Sequence, residues 1–272
     1  MSSEVETSLD ISDLRNSKRF LDSARNGERQ KSHPLFSTLC VYTDINSRSA
    51  AANMAIDEAL LETASRPVIR FYRWDHPALS FGYFGKFAEV ENILSERLPR
   101  RTAVETCDIV RRWTGGGIVF HGEDLTYSIV IPASDPAFCE SSMSVYKKVH
   151  LAIQRTLMWL GQRADLAVEK TPNTQRPTPD AQLRNACFAN PVRADVLLNG
   201  RKIAGAAQRH TRRGFLQQGS IQNVELAPGF ETNFAEQLSK NYEARSIDDQ
   251  VLERARQIAV QKYATSAWLR RR

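Results

Sequence analysis

The chain is poor in cysteine and has no long apolar run. Its four cysteines, Cys40, Cys107, Cys139 and Cys187, lie far apart among 272 residues. No Cys-x-x-Cys pair occurs, and no Cys/His group has zinc-ligand spacing, so neither a structural zinc nor a redox pair is expected. Scattered thiols suit a cytoplasmic protein. No apolar stretch approaches the roughly 20 residues that span a bilayer, so a membrane is not expected among its partners. The opening residues, MSSEVETSLDISDLRNSKRF, lack the apolar centre of a secretory signal. There is no internal repeat. Nor is there a nucleic-acid motif: the basic residues are dispersed, apart from Arg209–Arg213 and Arg270–Arg272, so no nucleic acid is expected.

What is present is an ordinary globular composition, 42% hydrophobic and 25% charged, with a formal net charge of +6. The positive balance suits an acidic partner. Residues 1–35 are polar and poor in aromatics, and read as a disordered or loosely ordered extension. The folded part is expected from residue 36 to 272, with a helical C-terminal end from about 232. Residues 49–65 repeat Ala52, Ile56, Leu60 and Ala64 at intervals of four, which predicts an amphipathic helix capped by Ser49. Residues 68–84 read as two strands about an Asp-His-Pro turn, and residues 124–132 as a strand with Leu125, Tyr127, Ile129 and Ile131 on one face. Val145, Val149, Ile153, Leu157 and Leu160 form the stripe of a second helix. Residues 171–185 hold three prolines and read as a loop. Asn199-Gly200 between two strand-like runs predicts a hairpin, followed by a further strand after Gly214. Strand pairs mixed with separated helices point to an α+β fold.

Three places carry candidate chemistry. Arg111 and Arg112 precede Gly115, Gly116 and Gly117, which are followed by Ile118, Val119, Phe120 and His121. The glycines are not a phosphate-binding loop, because Ile118 stands where Lys-Ser/Thr is required, and not a dinucleotide fingerprint, because a strand follows. They read either as a flexible turn or as a place where backbone approaches a ligand closely. The arginines would then hold an anionic group. Lys202 is followed by Ile-Ala-Gly-Ala-Ala, an unusual setting for a solvated lysine, and on a short hairpin it reads as removable without harm to folding. Cys187 reads either as a small buried hydrophobe or as a nucleophile. His121 reads as a hydrogen-bonding strut or a ligand contact. No Asp or Glu spacing suggests a protease-type triad.

Five blocks in order, NMAIDEALLE, VIRFYRWDHPALSFGYF, RRWTGGGIVFH, GRKIAGAAQ and LQQGSI, resemble the biotin/lipoate protein ligase catalytic-domain family over about residues 38–225. The resemblance implies a mixed, largely antiparallel central sheet flanked by helices. It also implies a substrate-binding pocket formed by Arg111, Arg112, Gly115 to Gly117, Ile118, Val119, Phe120, His121, Gly205 and Ala206, and a catalytic Lys202 at the acyl carbonyl or acyl phosphate. Ligases of the family usually carry Arg-Asn-Asp upstream of that lysine. Here NACFANPVRADV is similar to the Ala-Cys-Phe block of the cysteine-dependent octanoyltransferases, which makes Cys187 the implied nucleophile. The implied reaction moves an octanoyl or lipoyl group from octanoyl acyl carrier protein to a lysine of a lipoyl-domain protein, either a glycine cleavage H protein or a 2-oxoacid dehydrogenase E2 subunit. No cofactor or metal is then needed. The alternatives are a lipoate–protein ligase using ATP and magnesium, and a non-catalytic carrier- or lipoyl-domain-binding protein. The family often has Gln where Gly85 follows Gly-Tyr-Phe.

Overall fold

Eleven strands and six α-helices alternate through residues 34–44, 46–97, 107–168 and 191–271, the parts of the chain described by this computed structural model. Residues 1–33 of the polar extension, the proline-rich loop and Cys187 lie outside the described residues, while Leu35, expected in the extension, packs against the core.

The large sheet has the order β11-β1-β2-β6-β10-β9-β8-β7. Its strands are β1 Leu39–Thr43, β2 Val68–Tyr72, β6 Leu125–Pro132, β7 Ala164–Leu166, β8 Val196–Leu198, β9 Arg201–His210, β10 Gly214–Ile221 and β11 Tyr242–Arg245. Pairings at β1 are parallel and the rest are antiparallel, giving the mixed, largely antiparallel α+β architecture expected. The predicted hairpin joins β8 to β9, with Asn199 (φ 50°) and Gly200 (φ 75°) both left-handed, as a tight turn between twisted strands requires.

Both faces of the large sheet are covered, which is why β6 is buried at all eight positions rather than alternating. Leu125, Tyr127, Ile129 and Ile131 face a core shared with α3 (Ser142–Trp159) and α4 (Phe230–Leu238). The expected α3 stripe of Val145, Val149, Ile153 and Leu157 enters this core, with Leu160 at its edge. Leu35 and Phe36 also pack there. The opposite face holds α1 (Ala50–Thr63) and α5 (Asp249–Ile258). Ser49 caps α1 as expected, its hydroxyl accepting from the Ala52 amide.

The two strands expected about the Asp-His-Pro turn exist but do not pair with each other. β2 stays in the large sheet, while β3 (Ala78–Phe81) joins β4 (Asp108–Arg111) and β5 (Val119–His121) in a small sheet of order β4-β3-β5. That sheet packs under α2 (Phe87–Arg97) through Leu79, Phe81, Val90 and Leu94. The C-terminal end contains the expected helices, α5, a π-helical turn at Ala259–Tyr263 and α6 (Ser266–Leu269), and also the edge strand β11. No helix among the described residues is long and apolar enough to cross a membrane.

Candidate active site

A cavity of about 30 Å³ opens between the two sheets. Ser80, Val119 and His121 face it from the small sheet. Tyr72, Thr126, Gln218 and Gly205–Ala207 face it from the large one.

One wall is a hydrogen-bonded chain. His121 Nδ1 lies 2.8 Å from Asp124 Oδ2 and its Nε2 lies 2.7 Å from Ser80 Oγ. Arg112 Nη1 donates to Ser80 Oγ at 2.6 Å, so Ser80 has its own proton left to give to Nε2. This network assigns Nδ1–H to Asp124 and leaves His121 neutral. Burial pulls the imidazole below its ordinary pKa, against the raising influence of Asp124. Burial alone would raise the Asp124 carboxyl, but hydrogen bonds from His121, Ser220 and the Gly122 amide hold it at about 2. Trp74 stacks on His121 with ring centroids 4.0 Å apart. No residue spacing suggests a Ser-His-Asp order, yet the fold brings Ser80, His121 and Asp124 into one line. Because Ser80 Oγ already accepts from Arg112, the line is a brace and His121 a strut within it.

Arg112 also shapes the glycine triplet. Its Nη2 donates to the carbonyls of Gly115 (3.0 Å) and Gly117 (2.8 Å), so the loop curls around the guanidinium. Gly116 has φ +85°, and a Cβ there would sit 3.2 Å from Ala207 Cβ and 3.3 Å from Arg112 Nη2. Gly116→Val is therefore expected to cost roughly 1–3 kcal/mol through backbone strain. If the loop bounds an acyl channel, the same variant should lose octanoate transfer more severely than butyrate transfer. Equal loss for both donors in initial-rate assays would leave only the turn role.

Lys202 is buried behind Gly205, where a Cβ would fall 2.5 Å from Lys202 Cε and 2.7 Å from Nζ. Its ammonium meets Asp195 Oδ2 at 2.8 Å. Asp195 also accepts from Tyr146 Oη (2.5 Å) and the Val192 amide (2.7 Å). Lys202 is thus not a removable surface charge: it neutralises a carboxylate with no exposure of its own. His150, beside Tyr146 on α3, is fully buried, and burial lowers its pKa to about 4.

His121 and His150 both bind fewer protons folded than unfolded below pH 6.5. For each, the contribution is fully present above the unfolded value and is lost as pH falls through the folded one, which for His150 lies at about 4. For His150 this amounts to roughly 3 kcal/mol. Urea unfolding should show that decline, and His150→Phe should flatten it. An unchanged slope in the variant would remove His150 from the account.

Arg111 differs from its neighbour. Nε and both Nη donate to the carbonyls of Tyr83, Gly85, Trp268, Leu269 and Arg271 at 2.7–3.2 Å. It lines no part of the cavity, and its donors are committed to clamping the C-terminal helix against the loop after β3. The expected role at the substrate gives way to this one, because a buried guanidinium needs its donors filled. Gly85 serves here through its carbonyl. Ile118 is packed in the small core under α2, and Phe120 against its edge. Of the expected pocket residues, Arg112, Val119, His121, Gly205 and Ala206 line the cavity.

Sequence reasoning missed Tyr72, Ser80, Asp124, Asp195 and Gln218. The signal for the last was available in LQQGSI, whose Gln218 lies inside a strand otherwise suited to a core. Asp75, His76 and Asp108 place three ligand atoms within 4.8 Å of one another, but this largely exposed group forms no part of the cavity lining.

The model of the lipoyl protein ligase A/B catalytic domain matches residues 49–259. Curated relatives named octanoyltransferase LipM include one from Anoxybacillus flavithermus, 37% identical over 188 residues (66% of this chain, 64% of that protein). Another, from Staphylococcus aureus, is 34% identical over 190 residues (68% and 66%). The chain therefore spans somewhat under two thirds of these relatives' length. Among solved structures, lipoate-protein ligase A bound with ATP aligns with a TM-score of 0.61 at 20% identity, covering 86% of this chain and 98% of that one. The bi-partite lipoate protein ligase of Thermoplasma acidophilum, solved with its E2 lipoyl domain, aligns at 0.59 and 20%, covering 86% and 96%. These neighbours share the fold. Because the family model spans residues 49–259, more than half of its length, the chain belongs to the lipoyl protein ligase A/B catalytic-domain family.

Proposed function

We propose that the protein transfers an octanoyl group from octanoyl acyl carrier protein to a lysine of a lipoyl-domain protein. The observation that carries this reading is the ammonium of Lys202, fixed by Asp195 directly behind Gly205 at the cavity wall. A fixed cation beside an apolar cleft suits a carbonyl on which negative charge develops. The Cys187 thiolate attacks the thioester carbonyl, the oxyanion forms near Lys202, and the carrier thiolate leaves. The neutral amine of the acceptor lysine then attacks the acyl-Cys187 thioester. An amide forms, the amine loses a proton, and Cys187 leaves as thiolate. Exchange between thioesters needs no ATP. The Ala186-Cys187-Phe188 segment and the relatives named octanoyltransferase LipM support transfer over ATP-driven ligation. Residues 36–272 would form the catalytic domain, with a helical C-terminal end, acting in the cytoplasm.

Intact-mass analysis after mixing with octanoyl carrier protein tests the reading. One octanoyl group, labile to hydroxylamine, is expected on the unaltered chain and not on Cys187→Ser. An adduct at Cys40, Cys107 or Cys139 would overturn the assignment. Product formed only with ATP, with release of pyrophosphate, would favour the ligase.

A further inference from the structure

Beside the cavity, three cations alternate with three aromatic rings in a closed circuit. Arg209 Cζ lies 4.7 Å from the Tyr83 ring centre and 5.2 Å from that of Trp113. Lys262 Nζ lies 4.3 Å from Trp113 and 4.4 Å from Trp268. Arg271 Cζ lies 5.6 Å from Trp268 and 4.6 Å from Tyr83, which closes the circuit. Lys262 is paired with Glu58 at 2.6 Å. Neither Arg209 nor Arg271 has a carboxylate partner among the described residues. Ring faces attract cations but carry no net charge, so among the described residues two guanidinium charges remain uncompensated around one tyrosine.

The circuit adjoins the cavity. Trp113 stands between Arg112 and Thr114, and the Tyr83 amide donates to the Thr114 carbonyl at 2.8 Å. On β9, Gly205, Ala207 and Arg209 alternate onto the same face, and the first two line the cavity. Arg209 is four residues beyond Gly205, roughly 13 Å along the strand from the point where Lys202 lies.

We propose that this circuit binds the phosphate ester at the root of the arm that carries the acyl thioester. The inference rests on the transfer reading above. Such an arm is slender and uncharged between thioester and phosphate. With its acyl end beside Lys202, it leads out along β9 and places the phosphate beyond the cavity. Guanidinium forks match phosphate oxygens, and flat aromatic faces cover the neutral part of the arm. The charges are gathered around Tyr83 rather than spread over an open face, which favours one compact anion over an acidic protein surface.

Calorimetric titration of the full chain with phosphopantetheine, pantetheine and adenosine monophosphate tests this without turnover. Phosphopantetheine should bind at least ~10-fold more tightly than pantetheine, about 1.4 kcal/mol. Arg209→Gln and Arg271→Gln should each erase most of that difference, while Arg209→Lys keeps part of it and pantetheine binding stays unchanged. Equal binding of the two arms, or a preference that survives both glutamine variants, overturns the proposal. Adenosine monophosphate binding as tightly as phosphopantetheine overturns the arm as occupant. Acylation of Cys187 is read separately by mass, so failure of the transfer reading is distinguishable from failure of this one.

Discussion

Asp57→Ala is expected to cost about 3–5 kcal/mol of unfolding free energy, the scale for leaving a buried charge uncompensated. Asp57 has no exposure, and each of its oxygens accepts two hydrogen bonds. Oδ1 takes Arg70 Nη1 at 2.8 Å and Ser128 Oγ at 2.7 Å. Oδ2 takes Tyr72 Oη at 3.1 Å and Gln218 Nε2 at 2.7 Å. One helix carboxylate thus ties together β2, β6 and β10. Arg70, also without exposure, would keep Asp44 but lose its second anion. The effect reaches the cavity, because Tyr72 and Gln218 line it and Gln218 Oε1 accepts from Thr114 beside the glycine triplet. Asp57→Asn keeps shape and half the acceptors and should fall between wild type and alanine. Urea titration followed by circular dichroism measures both. A loss under about 1 kcal/mol for alanine would mean the buried network relaxes and contributes little.

The second large effect is at Lys202. On the proposed reaction, Lys202→Ala should slow transfer by at least ~10²-fold, the scale for removing a positioned electrostatic donor. It should also destabilise the fold by several kcal/mol, roughly as for any broken buried pair. The reason is Asp195, which would keep Tyr146 and the Val192 amide but lose the ammonium it pairs with. The two effects can be separated. Lys202→Met combined with Asp195→Asn removes both charges, so most of the stability should return while transfer stays slow. Initial rates and urea midpoints on the single and double variants decide it. Full activity in either would take Lys202 out of the mechanism, and a single variant as stable as wild type would show that Asp195 finds another partner.

Local pattern carried far where a segment's structure depends on its own residues. The Ser49 cap, the stripe of α3 and the Asn199-Gly200 turn all came from spacing and turn chemistry, and all are found, whereas α1 is no one-sided stripe: Ile56 and Leu60 are buried, but so are Asn53, Asp57 and Glu58 on its other sides. Strand β11 was missed because Tyr-Glu-Ala-Arg at an edge is half-buried at most and shows no apolar alternation. Strands β2 and β3 were found, but not their separation into two sheets, since a strand's own pattern is silent about which distant strand it will pair with. The departure at Gly85 likewise had no reading until its packing was seen: a Cβ there would lie 3.1 Å from both the Gly82 carbonyl oxygen and Phe81 Cδ2.

The sequence by itself determined that this is an α+β chain with a close-packed glycine turn after two arginines and an isolated lysine on a hairpin. Residue types and short spacings set those features, and both act within a few residues. Only the tertiary structure decided what the charged residues do. Adjacent arginines were separated into a clamp, Arg111 at the end of β4, and a cavity residue, Arg112 just beyond it, by the different partners each side chain meets: backbone carbonyls of the C-terminal end for one, Ser80 and the glycine triplet for the other. Asp195 became the partner of Lys202, and Asp124 and Ser80 the partners of His121, through contacts across strands and turns. Burying a charge demands a partner in three dimensions, and that partner's position along the chain is not constrained by the charge it meets.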